Sequence, residues 1–156
     1  MITYKTLRYD KIASIKPLWE ALNRLHHEKA AEFKEYFGKR TFEQRIEKFR
    51  SLPEDRLFVG TAEDSGVIIG YVVATVSGDG TGEIDSIFVS GDYRTHGVGR
   101  ALMDQALGWL SGAGGLRFCV GVAEGNEEVF GFYRRFGFYS RMTILARKGE
   151  GNRGGP

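Results

Sequence analysis

A chain of 156 residues with 42% apolar and 27% charged side chains has the size and composition of one domain with a real hydrophobic core. The net charge of +2, with basic residues scattered along the chain, excludes the strong global field of a nucleic-acid binder. A single cysteine excludes an internal disulfide framework and a multi-cysteine metal site, and "MITYKTLRYD" has no apolar run of signal or membrane-spanning length, so a cytoplasmic, reducing setting is expected.

In chain order, "ITYKTLR" (2–8) alternates like a strand. Residues 12–29 place Ile12, Ile15, Leu18, Trp19, Leu22 and Leu25 at helical spacing. A polar and aromatic segment follows, then a second helix over 41–52, with Thr41 as N-cap, Gln44 three residues on, and Pro53 as its stop. Three strands are expected over 56–63, 66–78 and 82–90, separated by the turn sequences "DSG" and "GDGTG". A helix over 98–112 ends at "GAGG". "LRFCVGVA" (116–123) reads as a buried strand, with Cys119 a buried structural thiol. A short helix over 126–137 and a last strand over 138–147 complete the order β-α-α-β-β-β-α-β-α-β. The fold class is α/β (α+β): a mixed central sheet flanked by helices. The domain covers 1–148, followed by a flexible glycine-rich tail over 149–156.

The stretch "YRTHGVGRALM" (93–103) puts Gly97 and Gly99 directly before a helix. The first amides of a helix lack internal partners and sit at the positive end of its dipole, so bare glycines there suit an anion, phosphate by default. Arg94 and Arg100 add positive charge. A P-loop requires Gly-Lys-Ser/Thr, which "GVGRAL" lacks; a dinucleotide fingerprint requires a third glycine where this chain has Leu102.

"EIDSIFVSGDYRTHGVGRALM" resembles the central motif of the GNAT superfamily of N-acetyltransferases, a strand followed by an Arg/Gln-x-x-Gly-x-Gly/Ala loop, here Arg94-Thr95-His96-Gly97-Val98-Gly99. "NEEVFGFYRRFGF" carries the features of its second motif: Asn126, Tyr133 and the Phe-Gly-Phe exit. The two are correctly ordered, and the resemblance covers residues 2 to about 147. It implies the acyl-CoA N-acyltransferase fold and the co-substrate acetyl-CoA. The pyrophosphate is expected on the amides of 94–99, the pantetheine arm along the backbone of Ile87, Phe88 and Val89, with Asn126 anchoring the arm. That arrangement needs an exposed strand edge. Ile84 and Ile87, three apart, share a face only if a bulge intervenes between Asp85 and Ile87; a strand buried on both sides is the alternative.

An amine near ~10.4 is protonated at neutral pH, so a base is useful, and the resemblance points to Glu83, with Asp85 as second candidate. Tyr133 matches the family's acid, placed to protonate the departing thiolate. Asn126 and Tyr133, seven apart, should share one helix face. The Val89 amide is the expected polariser of the thioester carbonyl. His26 and His27, adjacent and so about 100° apart on a helix, make a poor metal pair, and no metal is expected. Where many relatives have proline, this chain has Gly91. The acceptor is expected to be a small-molecule amine, met by residues around 24–40; neither nucleic acid nor membrane is an expected partner, and a homodimer is open. The competing readings are a non-catalytic acetyl-CoA-binding module, a nucleotide-binding domain, and an enzyme acting on a protein amine.

Overall fold

A computed structural model describes residues 1–149, so all but Gly149 of the expected tail lies outside the described residues. Five strands form one sheet in sequential order: β1 Ile2–Leu7, β2 Leu57–Asp64, β3 Val67–Val76, β4 Thr81–Val89 and β5 Arg117–Val120. The first four are antiparallel neighbours; β5 runs parallel to β4 after the crossover through helix α4 (Val98–Gly112). The remaining helices are α1 (Lys16–Lys29), α2 (Lys34–Lys39), α3 (Phe42–Arg50) and α5 (Phe130–Arg134).

The period of two in β3 builds the layers. Val72, Ala74 and Val76 pack against Val98, Leu102, Met103, Ala106 and Leu110 of α4. Tyr71 and Val73 face the other way, onto Ile12, Ile15, Trp19, Phe42 and Phe49. Burying this many side chains, each worth roughly 1.5–3 kcal/mol, is what docks α1 and α3 on one face and α4 on the other.

Several elements differ from the sequence reading. The first helix is split: residues 9–15 form a 3-10 segment, and the α-helix begins at Lys16. Pro17 explains the boundary, because it needs no N–H only in a helix's first turn. The polar aromatic segment contains the short helix α2. The expected capping box is present, with Thr41 Oγ1 accepting from Gln44 N at 3.2 Å and Gln44 Oε1 from Thr41 N at 3.1 Å. The helix expected over 126–137 is α-helical only at Phe130–Arg134, preceded by a 3-10 turn at Glu127–Val129.

Two expectations fail at the sheet's far side. No strand forms over 138–147, and Tyr139, Met142, Ile144 and Leu145 are exposed. Apolar alternation describes a pleated surface that something must cover, and among the described residues that segment has no partner strand. The expected buried strand over 116–123 is only four residues long and alternately exposed, so Cys119 is exposed rather than buried.

Candidate active site

The parallel ladder between β4 and β5 runs from Thr81↔Arg117 to Ile84↔Val120 and stops there. On the other side of β4, β3 pairs Ala74 with Ile84 and Val73 with Ser86, leaving Asp85 unpaired as a bulge. The bulge puts Ile84 and Ile87 on the α4 side of the sheet together, and it falls at Asp85 itself rather than between Asp85 and Ile87 as the sequence reading had it. Beyond it, β4 has β3 on one edge and, among the described residues, no strand on the other. Ser90 donates its N–H to Ile69 O at 2.9 Å. Antiparallel ladders alternate, so Phe88 and Ser86 turn their backbone groups toward β3, while Ile87 and Val89 turn theirs to the open edge. The backbone groups of Phe88 are therefore engaged with β3. The Val89 carbonyl is already engaged, accepting from Arg94 Nε at 3.0 Å, and the Arg94 guanidinium lies 5.3 Å from the Phe88 ring centre. Arg94 thus braces the strand end instead of reaching into the loop, and exposed Arg100 turns toward Asp104 at 3.8 Å.

The loop after β4 carries the free amides. Gly97, at φ 76°, caps α4 in the left-handed conformation that other residues adopt at a cost of roughly 1–2 kcal/mol. Gly99 lies against α5, where an added Cβ would sit 3.4 Å from the Phe132 ring. The amides of Arg94 and His96 are consumed by the turn, donating to Gly91 O and Tyr93 O at 3.3 and 3.2 Å. Those of Thr95, Gly97, Val98, Gly99 and Arg100 have no acceptor among the described residues. The Val98 side chain is fully buried, so Val98 offers the site only its backbone. His96 stands beside the Tyr93 ring at 6.2 Å, and Thr95 is exposed. Four consecutive free amides at residues 97–100, with that of Thr95 just before them, form a cradle for an anion at the positive end of a fifteen-residue helix.

Tyr133 lies in the α4-side core with Val89 and Val98, its ring 5.3 Å from Phe132 and 6.2 Å from Phe138. Phe136 meets Phe132 edge-to-face instead. Burial pushes the Tyr133 hydroxyl up to about 12, so it stays protonated across the working pH range, and it has no hydrogen-bond partner among the described residues. Glu83 is half-buried, opposite Thr75 on β3 and Cys119 on β5. Burial first, and then the Asp85 charge, hold its carboxyl above the ordinary range, while Lys48 and Arg45 pull it down. Asp85 has a different environment. Its fully buried carboxylate accepts from Lys48 Nζ at 2.5 Å and Thr75 Oγ1 at 2.6 Å, and both oxygens are occupied. Both Asp85 oxygens are thus engaged, whereas the Glu83 carboxylate accepts no hydrogen bond among the described residues.

Two other groups lose their candidacy. Partial burial and the carboxylates of Glu83 and Asp85 push the Cys119 thiol up, away from the reactive thiolate. Burial, with Arg40, Lys29 and Arg45 nearby, lowers His26 to about 4, so it is neutral at pH 7; its ring packs on Phe37 while His27 Nδ1 meets Lys34 O at 2.8 Å.

A clasp joins the end of α1 to the turn before α5. Lys29 Nζ reaches Asn126 Oδ1 at 3.5 Å and also pairs with Glu128. The Glu124 carboxylate accepts from the amides of Glu32 (3.0 and 3.1 Å) and Phe33 (3.0 Å). Gly125, at φ 85°, passes so close that a Cβ would lie 2.1 Å from Lys29 O. Asn126 is buried, and with its oxygen facing Lys29 its amide nitrogen is left as an unengaged donor among the described residues.

The sequence matches the acetyltransferase (GNAT) family over residues 19–138. The chain belongs to that family. Among its relatives, an uncharacterized N-acetyltransferase of Mycobacterium tuberculosis (strain H37Rv) is 30% identical over 98 residues, covering 63% of each protein. The match thus spans less than two thirds of that relative's length. The peptidyl-lysine N-acetyltransferase YjaB of Escherichia coli K12 is 27% identical over 139 residues, 88% of this chain and 82% of that one. The structure of the GNAT fold seen in the aminoglycoside acetyltransferase AAC(6')-Iy, solved with a CoA-linked bisubstrate analog, superposes with a TM-score of 0.69 at 18% identity, covering 95% of this chain and 98% of that one. The contacts that sequence reasoning missed are those of Arg45, Lys48, Lys29 and Glu124. Each acts on a partner at least 37 positions away, and no local pattern signals such pairs.

Proposed function

We propose that this chain is an acetyl-CoA-dependent N-acetyltransferase that transfers acetyl directly to a primary amine. The observation that carries the reading is the meeting, at one end of β4, of an open backbone edge at Ile87 and Val89, five unpaired amides at residues 95–100, and the Tyr133 side chain with its unpaired hydroxyl. The residues fit acetyl-CoA: an amide cradle for its diphosphate, a strand edge for its amide-bearing arm, and the Asn126 nitrogen as a further donor. The co-substrate supplies a thioester whose carbonyl the amine attacks. On the protein side, Glu83 takes the amine proton, directly or through water, the Val89 amide polarises the acyl oxygen, and Tyr133 donates to the departing sulfur. No helix among the described residues is long and apolar enough to cross a membrane.

The proposed acceptor is the amine of a small molecule. The aminoglycoside acetyltransferase neighbour supports that class by fold alone, whereas the E. coli relative's name favours a lysine side chain as the second reading. Measuring CoA release against parallel panels of small amines and lysine peptides decides between them, and activity with peptides only would discard the first.

Acetyl-CoA at one hundred times its Kd should stabilise the fold by about 2.7 kcal/mol, raising the melting temperature by ~5–10 °C for a domain of this size. Gly97→Glu should abolish that rise, because its carboxylate competes for the amides. Gly97→Ala imposes the same unfavourable φ without the charge and should keep most of it. A full rise in folded Gly97→Glu, or a rise with NAD or ATP in place of CoA, contradicts the assignment. Lys29→Met releases the Asn126 oxygen and should raise the acetyl-CoA KM a few-fold, the ~1 kcal/mol of one long hydrogen bond, with kcat nearly unchanged. An unaltered KM would remove Asn126 orientation from the account.

A further inference from the structure

We propose that Asp85, clamped by Arg45 and Lys48 of α3, is a positioning residue that acts through Glu83, fixing the point where β4 opens and setting the charge around the proton-accepting carboxylate. The inference rests on the acetyltransferase reading, in which Glu83 is that acceptor.

The geometry is concentrated in one residue. The β5 ladder ends at Ile84, and the next residue, Asp85, is the one that β3 leaves unpaired. A bulged residue gives up its place in the ladder, so its backbone carbonyl needs another donor. Arg45 Nη2 supplies it at 2.6 Å. The side chain is 0% exposed and is met by Lys48 at 2.5 Å and Thr75 at 2.6 Å, with Arg45 also 3.9 Å from it. A buried carboxylate persists only when paired and hydrogen-bonded in this way. Helix α3 is therefore fastened to the sheet at the residue where the edge opens.

The same assembly controls charge. Glu83 stands two residues before Asp85, with Thr75 opposite on β3. The titratable and charged groups around it are Asp85 on its own strand, Arg45 and Lys48 from α3, and Cys119 from β5, where Arg141 acts in turn on Cys119. Asp85 favours the protonated form of Glu83, and the two cations favour the carboxylate. Removing a cation and removing the anion must therefore move Glu83 in opposite directions, which a purely structural role does not do.

The test follows the Glu83 carboxyl by carbon-13 NMR titration, and in parallel the acid limb of the kcat/KM profile with acetyl-CoA and an accepted amine. Lys48→Met should move the Glu83 titration and the acid limb to higher pH, with turnover falling several-fold below the wild-type limb. Asp85→Asn should move both to lower pH. If Asp85→Asn does not fold, Lys48→Glu takes its place and should exceed Lys48→Met in the same upward direction, since it replaces a cation by an anion at the 44% exposed partner. Titrations that stay put, or shift the same way in Lys48→Met and Asp85→Asn, overturn the proposal. Opposite shifts together with full turnover in Glu83→Gln overturn the part of Glu83 in the reaction and leave the charge assembly standing. Absent shifts with an impaired Glu83→Gln do the reverse.

Discussion

Tyr133→Phe should lower turnover by ~10²–10³-fold, the cost of removing one positioned donor to developing charge, while acetyl-CoA binding stays nearly unchanged. The substitution keeps the ring that meets Phe132 and Phe138, so the packing survives. What is lost is the hydroxyl. Burial holds it at about 12, well above a thiol near ~8.5, so complete proton transfer to the sulfur is uphill. Tyr133 then acts chiefly by hydrogen-bonding the sulfur as its charge grows. The sign of the pH dependence follows: Tyr133 keeps its proton as pH rises toward about 12, so it imposes no basic limb below that value. Binding and rate measured on one purified variant give the answer. Equal losses in both would make Tyr133 a structural aromatic, and an unchanged rate would place the donor elsewhere.

Glu83→Gln should lower turnover by about 10²-fold near neutral pH, as expected for loss of a general base, with recovery as the pH approaches the ~10.4 of a free amine. Burial and Asp85 raise the Glu83 carboxyl, so its basic form appears only as the pH climbs through that raised value. Wild-type turnover should rise there, and the glutamine variant should lack that rise. Stability runs the other way. A raised carboxyl binds its proton more tightly in the folded chain, so this contribution is fully present below the ordinary carboxylate pKa and is lost as pH increases through the raised one. Glu83→Gln should flatten that part of the melting-temperature curve. A variant matching wild type in turnover at every pH would return the base role to water.

The elements legible in the sequence are those with a local physical signature. The capping box of α3, the glycine-capped start of α4 and the bulge between Ile84 and Ile87 each follow from residues within a few positions of one another. Illegible were features that depend on what lies across from them. Alternation in 138–147 specified two faces but supplied no partner strand, and the apolar neighbours of Cys119 did not reveal an uncovered edge. The charge of Asp85 was visible, but whether it was free or clamped depended on Arg45 and Lys48, 40 and 37 positions away. Asp85, a candidate base in the sequence, thus has both carboxylate oxygens engaged by Lys48 and Thr75.

The clasp between α1 and the α5 turn has a consequence for the order in which the molecule is built. The antiparallel meander pairs strands close in sequence, but Glu124 meets Glu32 and Phe33 across 92 and 91 positions, and Lys29 meets Asn126 and Glu128 across 97 and 99. A chain emerging from the ribosome at ~5–20 residues per second reaches residue 128 roughly 5–20 s after residue 33. Through that interval the amides of Glu32 and Phe33 await a carboxylate not yet synthesised. The nascent protein acquires a sheet first, and the fastening of its first helix to the Asn126 turn comes among its last contacts.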